Sequence, residues 1–355
     1  MKNYNNTISV WRIIFTYLVA IMHFDTIYKL KEPANFGDGW YIAVEFFFIV
    51  SGYLLYNQFD KLKVKYNNAF KYTLSRYRKI YPYFVISFFI TFMLIGYCRE
   101  YSSIKQYVKL FVESFWEFIG LQGMGLDRGW SYINPTAWYI SVLFINGFIL
   151  YNCLDKFKKL FVNLVAPIII MVVYSYLYRN FHHLDVVTPT TGFYINCALM
   201  RGMADMCLGI YAACLNKVIK EKVSKIWFLK IISTLSFFGI IIISWRIKQT
   251  EIDFLFALVM TFSISVAFLP SNNKILGSKV IRYWSDITLA IYLIHESFRT
   301  YIFPLCAGIP QAFGDKLILM AIYLVVITIA AMILDWIVKN VVMVIYDKGK
   351  KWLLN

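Results

Sequence analysis

The sequence predicts an all-α integral membrane protein, a bundle of about ten transmembrane helices with both termini in the cytoplasm. The first observation is composition: of the 355 residues, 60% are hydrophobic and only 16% are charged, whereas about a quarter of a soluble domain is charged. The second is a mean hydropathy of +0.59. The third is that the apolar residues form long runs with basic residues between them. Together these observations exclude a disordered chain, a coiled coil and an ordinary soluble enzyme.

The apolar runs define the predicted membrane spans. A span needs about 20 mostly apolar residues, and the first and eighth runs are short by this measure. We expect one membrane domain over 1–355 with no additional soluble domain. The predicted spans are 10–24, 40–59, 82–98, 137–154, 161–178, 193–215, 227–245, 253–269, 284–303 and 317–339.

The basic residues predict the orientation of the spans. If the N-terminus is inside, the connections on the inner side hold 21 Lys and Arg among 78 residues, and those on the outer side hold 9 among 86. Cytoplasmic connections of membrane proteins carry such an excess. The net charge of +16 is therefore explained by topology in a multi-pass protein of the cytoplasmic membrane, and we expect no nucleic-acid partner.

The longest predicted connection, 99–136, has a pattern of its own. Apolar residues recur at helical spacing with charged residues between them, which predicts a helix lying in the membrane interface. Glycines and a proline after it predict a loop. The apolar positions are Ile104, Val108, Phe111, Phe115 and Phe118, and the loop residues are Gly123, Gly125, Gly129 and Pro135.

Ionisable residues inside predicted spans are functional candidates because each costs a few kcal/mol in lipid. Arg12 and His23 are eleven residues apart, so at about 100° per residue both point the same way, roughly 16 Å apart along the first helix. We expect both to face one cavity, with His23 in the outer half. A snorkelling arginine and a histidine used only for helix packing remain the alternative.

Two further residues are predicted at the depth of His23. Glu45 lies on the second span and His295 on the ninth, and the orientation puts both in the outer half. Two imidazoles and a carboxylate at one depth predict a general-base site. Separate polar pairs that hold helices together are the alternative. Arg201 and Asp205, four residues apart on the sixth span, are expected to pair with each other.

A basic cluster precedes the third span on the inner side. Arg76, Arg78 and Lys79 stand before Tyr81 and Pro82, where their charges are suited to binding phosphate groups. No Gly-rich phosphate loop is present. The six cysteines form no C-x-x-C or zinc-like cluster, so we expect no metal cofactor.

Four motifs give the chain a family resemblance. Arg12 and His23 match an Arg-x10-His pair. Segment 45–55, EFFFIVSGYLL, is similar to FF-x-x-SG-[FY]-LL, segment 76–82, RYRKIYP, resembles R-x-x-R-I-x-P, and 285–295 resembles S-x-x-x-YL-x-H. These motifs resemble those of the membrane-bound acyltransferase-3 family, which O-acylates extracytoplasmic glycans and other acceptors. The sequence departs from the family at Leu143, where a Glu is common. Many members of the family carry an esterase-like C-terminal domain, and we expect none here.

The resemblance implies a reaction and a division of roles. Acetyl-CoA would enter from the cytoplasm, with its nucleotide end on Arg12 and the Arg76 to Lys79 cluster. His23 would deprotonate the acceptor hydroxyl or relay the acetyl group, and Glu45 and His295 would orient or charge-balance it. The acceptor would be a surface polysaccharide or a lipid-linked sugar. Direct transfer and a transient acetyl-histidine both remain open.

Two other functions fit a chain with many spans and buried charges. A glycan transporter or flippase is the main alternative, although neither inverted repeats nor paired broken helices are visible in the sequence. A glycan polymerase ranks third, because the longest outer connection carries few basic residues: Arg99, Lys105, Lys109 and Arg128.

Overall fold

The computed structural model describes residues 6–30, 36–122, 133–187, 195–223, 226–270, 276, 278–308, 310 and 312–346. The elements in these ranges are helical, which confirms the all-α class. The predicted loop glycines at 123–129 and the chain ends, 1–5 and 347–355, lie outside the described residues. The helices are α1 (Asn6–Tyr28), α2 (Ala43–Asn57), α3 (Phe59–Tyr66), α4 (Ala69–Cys98), α5 (Ile104–Glu113), α6 (Phe115–Phe118), α7 (Trp138–Leu160), α8 (Ala166–Phe181), α9 (Cys197–Lys222), α10 (Ile226–Ser244), α11 (Ile252–Ala267), α12 (Lys279–Ser297), α13 (Phe303–Ala307) and α14 (Phe313–Ile337).

Each predicted span overlaps a helix, but the helices differ in length and polarity. Within the described ranges, seven helical segments are long and apolar enough to cross a membrane, and α11 is a shorter apolar helix. The chain is thus a helical membrane protein, whereas the count of ten crossings and the side on which the termini lie stay predictions. The seven segments are Thr7–Tyr28, Asp38–Asn57, Ala69–Cys98, Pro135–Phe181, Cys197–Lys222, Ile226–Ser244 and Phe313–Tyr346.

One of these segments is long enough for two crossings. Pro135–Phe181 has 47 residues, about 70 Å of helix, against a hydrocarbon layer of about 30 Å. The backbone breaks at Phe157, with φ −147° and ψ 46°. Beyond the break, Val162 receives a hydrogen bond from Tyr211 and Tyr174 donates one to Asp205. α8 therefore runs antiparallel to α9, as expected if α7 and α8 are separate spans.

The closest helix pair in the bundle is α2 with α9, and two glycines make it possible. A Cβ on Gly52 would lie 2.0 Å from the carbonyl oxygen of Met206, and one on Gly209 would lie 2.1 Å from that of Ile49. The two backbones are thus in contact, as in other membrane helix pairs built on small residues. Gly52 belongs to the SG pair of the second motif, so that motif has a packing role.

α1 packs along α12 and α14. Phe24 and Tyr28 on α1 stack on each other, and they belong to one buried cluster with Ile291 and Ile294 of α12 and Tyr323 of α14. This packing brings the C-terminal half of α1 against the last turns of α12. It therefore fixes the distance between the histidines that those two helices carry.

The predicted helix in the long connection is present as α5 and α6. Ser103 and Gln106 form a capping box at its start, and Ile104 and Val112 are 74% and 66% exposed, which suits contact with lipid. Glu117 is buried and accepts from the backbone N–H of Asn134 at 2.6 Å. The side-chain amide of Asn134 in turn donates to the backbone carbonyl of Leu293 on α12 at 2.8 Å. These two hydrogen bonds anchor the connection to the bundle.

Candidate functional site

A cavity of about 330 Å³ lies between α1, α9, α12 and the turn that precedes α2. Its wall combines aromatic rings with charged side chains. By the predicted orientation it opens to the outer side, because its rim is formed by connections assigned there. The aromatic and charged residues that line it are His23, Asp38, Tyr41, Trp138, Asp185, Arg201, Lys248, Tyr292, Glu296 and Arg299.

Two histidines from facing helices meet beside this cavity. The ring centroids of His23 on α1 and His295 on α12 are 5.3 Å apart. The Nδ1 of His295 is 2.6 Å from the backbone oxygen of Tyr292. Since a carbonyl oxygen only accepts, Nδ1 carries the hydrogen, and a neutral ring then has its lone pair on Nε2. That Nε2 has no hydrogen-bond partner among the described residues.

A carboxylate and a guanidinium adjoin the two rings. Glu296 Oε1 accepts from Nη2 of Arg299 and from the hydroxyl of Thr300 at 3.0 Å, while its Oε2 has no partner within the described ranges. Arg299 also donates to the backbone oxygen of His23 at 2.9 Å. The guanidinium therefore ties α1 to α12 at the level of the histidines.

Glu45, predicted at the same depth, pairs with an arginine of α9. Its Oε1 accepts from Nε of Arg201 at 2.5 Å, and both side chains are essentially inaccessible to water. The expected pairing of Arg201 with Asp205 is wrong, because Asp205 instead accepts from the hydroxyl of Tyr174. Glu45 is thus connected to the cavity through Arg201, which lines it and whose guanidinium carbon lies 5.9 Å from the Trp138 ring centroid.

The four residues predicted to bind phosphate differ in their surroundings. Arg12 donates to the hydroxyl of Thr288 on α12 at 3.4 Å, so Arg12 and His23 do face the same helix. Arg76 lines a small pocket together with Ser51. Arg78 and Lys79 are exposed at the surface of α4.

The sequence matches one known protein family over most of its length. The family model described as "Acyltransferase domain", Acyl_transf_3, matches residues 5–338. The chain belongs to the acyltransferase-3 family. A search of the curated proteins and a search of the solved structures found no match. The resemblance drawn from the four motifs is confirmed, and the protein is a multi-pass membrane acyltransferase.

The structure adds to the candidate site two residues that the sequence did not single out. Glu296 and Arg299 lie within the predicted span 284–303, where ionisable side chains are costly. The cost of placing charged side chains in a span is the sequence feature that could have identified both residues. Their position in the last turns of α12 and just beyond it puts both in contact with the cavity that His23 lines.

The mouth of the acyltransferase cavity is held by a buried hydrogen-bond network. The hydroxyl of Tyr41 donates to Asp253 at 2.6 Å and accepts from the backbone N–H of Gln249 at 2.7 Å. Asp253 also accepts from the N–H of Leu184. Nearby, burial lowers the pKa of His183, which favours its neutral form at the rim. Three connections that are predicted to lie on the outer side are thus fixed to one another around the opening.

Proposed function

We propose that this acyltransferase is an O-acetyltransferase that moves an acetyl group from cytoplasmic acetyl-CoA to a hydroxyl of an extracytoplasmic or lipid-linked glycan. The observation that carries the proposal is the meeting of His23 and His295 beside a cavity. Nε2 of His295 is buried without a partner in the described structure. Imidazoles so placed are suited to taking a proton from a hydroxyl group.

In the proposed reaction His23 takes the proton of the acceptor hydroxyl. The oxygen forms a bond to the acetyl carbon, the carbon–sulfur bond of acetyl-CoA breaks, and the CoA thiolate accepts a proton. His295 and Glu296 orient the reacting groups and balance charge, and Glu45 acts through Arg201. A variant of this scheme passes the acetyl group through His23 itself, and trapping of an acetyl-histidine distinguishes the two.

The donor would bind from the inner side. Arg12 on α1 and Arg76 on α4 belong to the end of the bundle predicted to face the cytoplasm, and Arg76 lines a small pocket there with Ser51. Arginine side chains bind phosphate oxygens through two parallel N–H groups. Arg78 and Lys79, which are exposed, would contact the nucleotide end of CoA where it leaves the pocket.

The acceptor would occupy the outer cavity. Tyr41, Trp138 and Tyr292 present aromatic rings there, and a few polar groups stand between them. Such a mixture of apolar faces and sparse polar groups is typical of small-molecule sites. It suits a sugar, which has both apolar ring faces and hydroxyl groups.

The decisive experiment is acetyl transfer by the purified protein in detergent, followed as CoA release with and without a sugar acceptor. His23→Ala should lower the rate by about 10²–10⁴-fold, the usual contribution of a general base. His182→Ala is the matched control, because His182 is an exposed histidine that contacts Glu251. Retention of more than about a tenth of the wild-type rate in His23→Ala would contradict the base role.

The same assay tests the alternative of a glycan flippase. A flippase moves the sugar without breaking the thioester, so acetyl-CoA would stay intact in its presence. Thioester cleavage that depends on His23 therefore separates the two functions.

A further inference from the structure

We propose that His23, His295 and Glu296 form a binding site for a divalent transition-metal ion such as Zn²⁺, and that the bound ion inhibits acyl transfer. One donor atom from each of the three residues lies within 4.8 Å of the others. Two imidazoles and one carboxylate are a donor set that zinc uses in open, three-ligand sites. The inhibition rests on the function proposed above, whereas the binding does not.

His295 is oriented as a metal ligand. Histidines that bind metals almost always donate their other ring N–H to a carbonyl or carboxylate, which fixes the tautomer and the ring. The Tyr292 carbonyl holds Nδ1 of His295 in this way. Nε2 is left with its lone pair, and the side chain is only 1% exposed. A buried nitrogen without a partner is costly, and a metal ion would satisfy it.

Glu296 has one oxygen available for the ion. Its Oε1 is held by Arg299 and Thr300. Oε2 has no partner among the described residues, and the residue is 4% exposed. A carboxylate fixed at one oxygen and free at the other is suited to binding a metal through that second oxygen.

His23 completes the set and gives the ion access. Tetrahedral bonds of about 2.0–2.2 Å put donors roughly 3.4 Å apart, and the three donor atoms lie within 4.8 Å of one another, so they must approach by at most about 1.4 Å. The His23 ring is half-buried and lines the cavity, so it has room to turn. The fourth ligand would be a water molecule from the cavity.

Two features predict a weak, inhibitory site. The guanidinium of Arg299 contacts Glu296 and repels a cation, so we expect dissociation constants in the micromolar range, far weaker than those of structural zinc sites. The ion also occupies the imidazole lone pairs that proton transfer needs. Binding of the ion and catalysis by His23 therefore exclude each other.

The binding test is calorimetric titration of ZnCl₂ into the purified full chain in detergent. The exposed cysteines Cys98 and Cys306 are first replaced by Ser, since thiolates also bind zinc. One ion per chain is expected. His295→Ala and Glu296→Gln should each weaken it at least tenfold, since losing even an outer-shell partner of a metal ligand costs about 10–100-fold.

The chain offers a matched control for this titration. It has four histidines, and the other two, His182 and His183, stand together in an outer connection. The double variant His182→Ala/His183→Ala should bind zinc like the parent. If it loses zinc while His295→Ala and Glu296→Gln keep it, the ion binds at the outer connection and the proposed site is wrong. Absence of binding in the parent overturns it as well.

The inhibition test uses the same protein. Zn²⁺ should abolish CoA release with a midpoint equal to the calorimetric dissociation constant, and EDTA should restore it. Binding at the site with unchanged turnover would overturn the inhibitory role. If the parent shows no acetyl transfer at all, the proposed function fails, and the metal site is judged on the titration alone.

Discussion

Glu45 on α2 accepts a hydrogen bond from Arg201 on α9 at 2.5 Å, across 156 positions of sequence. Neither side chain reaches water, since their exposures are 0% and 1%. The pair joins the two helices that approach most closely in the bundle, at a point where Arg201 also lines the cavity. Replacing Glu45 could therefore lower activity in two ways: by destabilising the α2–α9 contact, or by displacing Arg201 from the cavity wall. Stability measurements separate the two.

Arg201→Ala should destabilise the protein strongly. Removing one partner of a buried ion pair leaves the other charge uncompensated, which typically costs about 3–5 kcal/mol. Lys63→Ala is the control, since Lys63 pairs with Asp155 at 2.8 Å but is 51% exposed, and such pairs contribute at most about 1 kcal/mol. Thermal unfolding in detergent measures both. Equal melting temperatures for the two variants would show that the buried pair is not needed for stability.

Gly52→Ala should separate α2 from α9. The new Cβ would lie 2.0 Å from the Met206 carbonyl oxygen, so the backbones must move apart, and overpacking of this kind costs about 1–3 kcal/mol or more. Gly239→Ala on α10 is the control, because nothing lies within 4 Å of its added Cβ. That variant should be neutral or gain up to about 1 kcal/mol from helix propensity. If both variants unfold like wild type, the close contact does not stabilise the bundle.

The predicted topology can be tested with cysteines already in the chain. Cys98 and Cys306 are exposed and lie at predicted outer ends, so a membrane-impermeant maleimide should label them in intact cells, and their Ser variants should not be labelled. Lys65→Cys and Lys220→Cys, in the predicted inner segments 60–81 and 216–226, should react only after permeabilisation. Labelling of Lys65→Cys from outside would reverse the donor side, since CoA is cytoplasmic.

The helices, and the face of α1 that Arg12 and His23 share, could be predicted from the sequence because both depend on local periodicity. Apolar runs gave helices, and the eleven-residue spacing put Arg12 and His23 toward α12. The partner of Arg201 was predicted wrongly because the i, i+4 rule considers only one helix. Which distant side chain an arginine meets depends on how helices rotate against each other, and here Gly52 brings α2 to α9.

Equal depth likewise could not predict the hydrogen-bond partner of Glu45, which is Arg201. Depth follows from span boundaries, but the direction of a side chain around its helix follows from packing. Glu45 points toward α9, whereas His295 points toward α1. The hydrogen bond from His295 Nδ1 to the Tyr292 carbonyl, which fixes the free Nε2, depends on side-chain conformation and has no signature in the sequence.

The last prediction separates donor binding from chemistry. Arg12 and Arg76 belong to the end of the bundle that is predicted to face the cytoplasm, and a charge-assisted contact to phosphate contributes roughly 1.5–3 kcal/mol. Arg12→Ala and Arg76→Ala should therefore weaken acetyl-CoA binding by about 10–150-fold. Replacement of Arg12 by Lys should restore only part of the affinity, because the bidentate geometry of the guanidinium is lost.

The histidine variants provide the contrast. His23 lies about 16 Å from Arg12 along α1, so His23→Ala and His295→Ala should keep nearly wild-type affinity for acetyl-CoA while losing turnover. Arg179→Ala, which removes an exposed charge at the end of α8, controls for net charge. Calorimetric titration of each variant with acetyl-CoA gives the affinities. If the arginine variants bind acetyl-CoA like wild type and the histidine variants do not, the donor enters from the other end and the assigned roles must be exchanged.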